Sequence, residues 1–176
     1  MKRKTIISPL SPEQKTVTLC FLLREGEILL GLRKEGFGAG KWNGIGGKVE
    51  EGETLLFGAV REIAEEIHVS VKEEHLEKRA ELLFRFIEGR KIVTEMMGHV
   101  YVVQKWEGEP SESNEIAPLW HKTDNIPFDT MWEDDQHWLP RVLAGEKLKG
   151  AFSFHDKEKK MSAFTLEVWS ENTTII

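Results

Sequence analysis

The stretch Gly47–Val69, GKVEEGETLLFGAVREIAEEIHV, constrains the architecture of this chain more than any other part of it. From Leu55 onward apolar residues recur at helical spacing, and Leu56, Ala59, Val60, Ile63 and Ile67 gather on one side. On the opposite side, at about 100° per residue, Glu62, Glu65 and Glu66 fall within one arc of about 100°. A helix with such an apolar back must lie on a core. Its acidic front needs something positive among the carboxylates, because like charges at that spacing repel. A hard divalent cation with oxygen ligands meets that need. The ordinary alternative is a solvated Glu-rich face balanced by Lys at i,i+4. Lys is absent between Val49 and Val71, however, and Arg61 is the only base on the helix.

Strand patterns flank this helix. Lys15–Arg24 predicts a strand, Glu25–Gly26 a turn, and Glu27–Arg33 a second strand. Gly36–Gly47 holds six glycines in twelve residues, which marks a loop whose backbone something approaches closely. The acidic helix is expected over Thr54–Ile67. Ala80–Ile87 and Ile92–Lys105 predict strands joined at Glu88–Gly89–Arg90, and Ile116–His121 a short strand after the polar loop Glu107–Glu115. Asp129–Ala144 has a helical pattern with Pro140 inside it, and Lys149–His155 with Met161–Trp169 closes the chain as a hairpin. Strands mixed with two helices describe an α+β fold.

At 176 residues without a Pro/Gly/Ser-rich linker, one domain is expected over residues 15–170, preceded by an N-terminal extension over 1–14. A net charge of −6 argues against binding a nucleic-acid polymer, which demands a basic face. The single Cys20 excludes an intramolecular disulfide and suits a reducing compartment. The start MKRKTIISPLSPEQK lacks the apolar core of a secretory signal, and no run approaches a membrane span. The expectation is a cytoplasmic monomer with no membrane partner.

The acidic segment resembles the box of the Nudix hydrolase superfamily. Gly47, Glu53, Arg61, Glu62, Ile63, Glu65, Glu66 and Val69 match that pattern in register, while His68 stands where the pattern has Gly. The resemblance implies the Nudix fold, a mixed β-sheet sandwiched between α-helices. GFGAGKWNGIGGKVEEGET (Gly36–Thr54) and IPFDTMWEDDQHWLP (Ile126–Pro140) are further similar to the MutT-homologue branch. That branch implies magnesium-dependent hydrolysis of oxidised purine nucleoside triphosphates of the 8-oxo-dGTP type. The products are the monophosphate and pyrophosphate, and the role is nucleotide-pool sanitation in support of DNA repair.

The resemblance assigns residues as follows. Magnesium, or manganese in its place, would be held by Glu62, Glu65, Glu66, the Gly46 carbonyl and Glu115. Glu115 reads equally as a charged loop residue beside Glu112. Glu66 would be the general base, with Glu62 on the same face as the alternative. Arg61 would pair with Glu53 and fix the helix. Asn43 would bond the purine edge, and Thr18 and Arg33 would face the nucleotide. The family has Lys at the Arg33 position, which alters the geometry of a phosphate contact. Phe37 and Phe84 would wall the base or simply fill the core, and Lys48 would reach a phosphate.

Chemistry points the same way at the second motif. Trp132 beside Asp134 and Asp135 offers an aromatic plane and two carboxyls. Stacking on an aromatic is worth about 1–3 kcal/mol per base. Guanine N7 is an acceptor, so an ionised carboxylate repels it, whereas an 8-oxo purine carries a hydrogen there and donates. Paired carboxyls near apolar walls share one proton and present both a donor and an acceptor. The competing reading is an exposed helix start, with the aspartates favoured by the dipole. Two other functions are compatible with the box. One is hydrolysis of another nucleotide, such as ADP-ribose, a dinucleoside polyphosphate or an undamaged dNTP. The other is a non-catalytic nucleotide sensor, against which the intact box acids argue.

Overall fold

The computed structural model describes residues 14–155 and 160–170. The expected extension therefore falls outside the described residues except for Gln14, which already belongs to the first strand. The elements are β1 (Gln14–Arg24), β2 (Glu27–Arg33), β3 (Trp42–Asn43), α1 (Leu55–Ile67), β4 (Leu76–Glu88) and β5 (Lys91–Val103). They continue with β6 (Ile116–Lys122), α2 (Asp135–Leu143), β7 (Leu148–His155) and β8 (Lys160–Val168). The strands run in the order β3-β2-β1-β5-β4-β7-β8, with β6 on β2. The β1–β5 and β4–β7 pairs are parallel and the others antiparallel, so the sheet is mixed.

Period-two alternation decides which helix each face meets. On β1, Cys20 and Leu22 join Ala59, Ile63 and Ile67 of α1 in one buried cluster. Phe21, between them, joins Trp138, Leu139 and Val142 of α2 in the other. Two apolar helix stripes against opposite faces of one sheet give the expected sandwich. Among the described residues no helix is long and apolar enough to cross a membrane.

One irregularity positions the site. β2 pairs with β1 only beside their turn, through Leu23↔Ile28 and Arg24↔Glu27, and then departs to pair with β6 along its length. The edge it leaves on β1 is taken by the glycine segment. Cys20 N–H donates to the Ile45 carbonyl (2.6 Å), Ile45 N–H to Cys20 (2.9 Å) and Thr18 N–H to Gly47 (2.8 Å). Gly46 lies within this strip at φ 149°, and a Cβ there would run into the Thr18 carbonyl oxygen. That oxygen belongs to the backbone and cannot swing away. Gly46→Ala should therefore cost about 3 kcal/mol or more and lower Tm by roughly 6–12 °C, read from a thermal melt. A melt within about 2 °C of the parent would contradict the close approach.

Helix α1 starts on Thr54, whose hydroxyl accepts from Phe57 N–H at 3.1 Å, and ends on His68 at φ 59°, ψ 30°. His68 takes the left-handed conformation that glycine would adopt more cheaply. Its ring Nδ1 lies 3.0 Å from the Ser111 hydroxyl, a hydrogen bond that offsets part of the roughly 1–2 kcal/mol backbone cost. The second helix is shorter than the Asp129–Ala144 pattern suggests. A 3-10 turn over Phe128–Thr130 gives way to extended backbone at Met131, and α2 begins only at Asp135. The Asp135 carboxylate accepts from Trp132 N–H at 3.1 Å, so the chain turns on that bond before the helix starts. β4 starts four residues before the apolar run at Ala80, because a bulge between Lys78 and Ala80 breaks the alternation there.

Candidate active site

The helix face carries its own counter-charge. Arg61 holds Glu53 with two bonds, Nε to Oε1 at 2.6 Å and Nη2 to Oε2 at 2.9 Å. Its Nη1 reaches Glu62 at 2.7 Å and Glu65 at 3.1 Å, and Nη2 also binds the Lys48 carbonyl at 3.0 Å. This is the expected Arg61–Glu53 pair, extended to two acids of the opposite face and to the glycine segment. The guanidinium first, and the Glu50 N–H second, hold the Glu53 carboxyl down to about 2.

Glu66 is 3% exposed. Its Oε2 accepts from Gly46 N–H at 2.9 Å and its Oε1 from Arg33 Nη2 at 3.0 Å. Burial pushes its pKa up to about 7 against those two bonds, and the nearby Glu62 and Glu115 charges add to the rise. Glu62 is raised as well, chiefly by burial. A Cβ on Gly47 would stand 2.6 Å from Glu62 Oε2, so this glycine lets the strip lie directly against the helix carboxylates. Glu65 and Glu115 are exposed, and Glu115 lies 3.6 Å from Arg33 Nη1.

Among the described residues, no three acidic, histidine or cysteine side chains already stand as a metal cage. The guanidinium groups of Arg33 and Arg61 lie among them instead. The donor set is nevertheless what a hard divalent cation takes, carboxylate oxygens in excess on one helix face beside a backbone strip. Glu62, Glu65 and Glu66 supply such oxygens from the helix, and Glu115 lies across Arg33 from Glu66.

Arg33, Gly46 and Gly47 also form one wall of a cavity of about 270 Å³. Thr18 and Asn43 line it too, and Thr18 Oγ1 is buried there without a hydrogen-bond partner. Asn43 Oδ1 accepts from Gly44 N–H at 2.8 Å. Phe37 stacks on Trp132 at 5.2 Å and 23° between planes, and Phe84 contributes from β4. Phe86, Met96 and Phe154, absent from the sequence reading, complete the apolar walls. Phe86 follows Phe84 by two residues and so shares its face, a signal that period two carries. Met96 and Phe154 arrive only through the registers Phe84↔Met96 and Phe86↔Phe154. Lys48 does not reach this wall. Its side chain is exposed, with Nζ 3.9 Å from Glu50.

Asp134 and Asp135 close the cavity and are each 2% exposed, so they do not form a solvated helix start. Asp134 occupies the N-cap position without capping through its side chain. Its Oδ2 instead accepts from Trp138 Nε1 at 2.8 Å. Burial raises both carboxyls, and the charge of Asp134 pushes Asp135 further. The folded pair therefore holds a proton more tightly than the unfolded chain, where the ordinary value is 3.8. Its contribution to stability is complete below that value and is lost as pH rises through the raised folded range. Asp135→Asn should flatten this fall in unfolding free energy, measured by chemical denaturation across a pH series. An unchanged slope would mean that the pair is not protonated when buried.

A NUDIX domain model matches residues 12–142. The chain belongs to the Nudix family. The "Oxidized purine nucleoside triphosphate hydrolase" of Mus musculus is 41% identical over 86% of this chain and 94% of its own length. The protein of the same name from Danio rerio is 44% identical over 81% of this chain and 89% of its own. A crystal structure of a MutT protein from Bacillus halodurans superposes with a TM-score of 0.75, at 25% identity, over 87% of this chain and 97% of that one. The Nudix fold expected from the box is thus the fold observed, and the MutT-like resemblance holds across most of the chain. Nudix hydrolases generally use divalent cations.

Proposed function

We propose that this Nudix enzyme hydrolyses oxidised purine nucleoside triphosphates of the 8-oxo-dGTP type to the monophosphate and pyrophosphate, with magnesium or manganese. The buried Asp134–Asp135 pair, set in an aromatic cavity that shares its wall with the bonding partners of Glu66, carries the reading. The names of the mouse and zebrafish relatives support it. Residues 15–170 act in this reading as one catalytic domain, a cytoplasmic monomer that needs neither membrane nor nucleic-acid polymer.

The purine enters the cavity beside Trp132, and the apolar walls exclude water from its faces. The aspartate pair offers one acceptor and one donor to the ring edge. A donating N7–H then meets the acceptor, while an undamaged N7 meets like polarity. Asn43 and Thr18 offer further polar atoms from the strip and from β1. Arg33 meets the incoming triphosphate, since it lines the cavity while bonded to Glu66. Glu62, Glu65, Glu66, Glu115 and the Gly46 carbonyl would hold a divalent cation, which would supply charge neutralisation and a more acidic water. Glu66 takes the proton of the attacking water, and Arg61 keeps Glu62 and Glu65 in line through its bridge to Glu53. The test is pyrophosphate release from a panel of 8-oxo-dGTP, dGTP and ADP-ribose. The oxidised triphosphate should have the largest kcat/KM, and equal or better turnover of ADP-ribose would remove the assignment.

A further inference from the structure

The base end of the cavity has one fixed positive charge that the mechanism above does not use. Lys41 stands in the glycine segment just before β3, half-buried. Its Nζ donates to the Met131 carbonyl at 3.2 Å and lies 5.3 Å from the centre of the Trp132 ring. One ammonium thus ties the glycine segment that carries Asn43 to the segment that leads into the aspartate pair. It is spent on a neutral carbonyl and a ring face rather than on a carboxylate, so its charge still acts on its surroundings. Both Asp134 and Asp135 feel that charge.

The other groups facing the pair leave Lys41 without a substitute. Glu133 opposes it from the same segment, with its Oε2 turned to Met161 N–H at 2.9 Å. Trp138 on α2 brings only an N–H. Phe84 and Phe86 on β4 and Phe154 on β7 are uncharged. Arg33, the cation that lines the cavity, is committed to Glu66 and Glu115.

We propose that Lys41 is a positioning residue that determines specificity for oxidised purines: it clamps the base-reading segment against the glycine segment and sets a fixed positive charge beside the aspartate pair. The role rests on the base recognition proposed above. A donating N7–H needs an ionised acceptor, and a neighbouring cation favours the ionised form. Without Lys41 the pair shifts toward carrying two protons. It then has only a hydroxyl to offer where the oxidised purine donates, and it tolerates the N7 acceptor of an undamaged purine.

The test compares Lys41→Met, which keeps the stem and removes the charge, with Lys41→Arg, using kcat and KM for 8-oxo-dGTP and dGTP across a neutral-to-alkaline pH series. Lys41→Met should raise KM for 8-oxo-dGTP about three- to tenfold at neutral pH while kcat stays within about twofold. The rise should shrink as pH increases and the pair ionises unaided, and Lys41→Arg should restore the parent KM. An unchanged KM, or a rise of the same size at every pH with no rescue by Arg, overturns the role. A parent enzyme without preference for 8-oxo-dGTP sinks the base-recognition reading and Lys41 with it. A selective parent with an unaltered Lys41→Met variant sinks Lys41 alone.

Discussion

Glu66→Gln should lower kcat for every nucleotide the enzyme accepts by roughly 10²–10⁴-fold, the range expected on losing a positioned general base. The substitution keeps size and shape in a site that is 3% exposed. The amide oxygen can still accept from Gly46 N–H, so the strip against β1 stays in place. What disappears is the negative charge that Arg33 holds at 3.0 Å and the ability to take a proton. The loss should be equal for 8-oxo-dGTP and dGTP, because Glu66 acts at the phosphates and not at the ring. Pyrophosphate release measures kcat, and a melt checks that the variant is folded. A folded variant retaining more than about a tenth of parental kcat would remove Glu66 from the chemistry.

Asp135→Asn should do the reverse, leaving turnover of undamaged dGTP largely intact and collapsing the preference for 8-oxo-dGTP. A buried polar group left facing the wrong partner costs about 1–3 kcal/mol, or roughly 5- to 150-fold in kcat/KM ratio. Asp134 already gives one oxygen to Trp138 Nε1, and Asp135 gives one to Trp132 N–H. Each carboxyl therefore has one oxygen committed to the scaffold and one remaining. Asp134→Asn makes the matching control, since it also risks the bond that the Trp138 indole donates to Asp134. Full discrimination in both variants would mean that the ring edge is read elsewhere. Loss in one alone would identify which carboxyl meets N7.

The proposed acid–base cluster was largely legible along the chain because most of it lies on one helix. Arg61, Glu62, Glu65 and Glu66 are related by helical spacing, and the Arg61 bonds to carboxylates join residues only one, four and eight positions apart. His68 was legible as a departure, and its φ of 59° is the conformation the missing glycine would have supplied. The cavity proposed to hold the base was legible in part. Trp132, Asp134 and Asp135 are adjacent in the chain, and Phe84 announces Phe86 at strand spacing. Met96 and Phe154 carry no local signal and enter only through strand pairing. The early start of β4 stayed hidden behind a bulge, and the late start of α2 behind the Asp135–Trp132 bond.

Periodicity and charge in the chain alone determined the α+β class and the amphipathic acidic helix, since each depends on neighbours a few positions apart, while the candidate cation and purine residues came from the resemblance to the Nudix pattern. The tertiary structure decided which of these residues meet. The departure of β2 opens the edge of β1, the glycine strip fills it, and backbone hydrogen bonds fix Gly46 against Glu66 and Arg33. The surroundings then separate chemically identical groups: burial raises Glu66 to about 7, while the Arg61 guanidinium holds Glu53 at about 2, because a carboxyl's acidity depends on what packs and bonds around it and not on where it lies in the sequence.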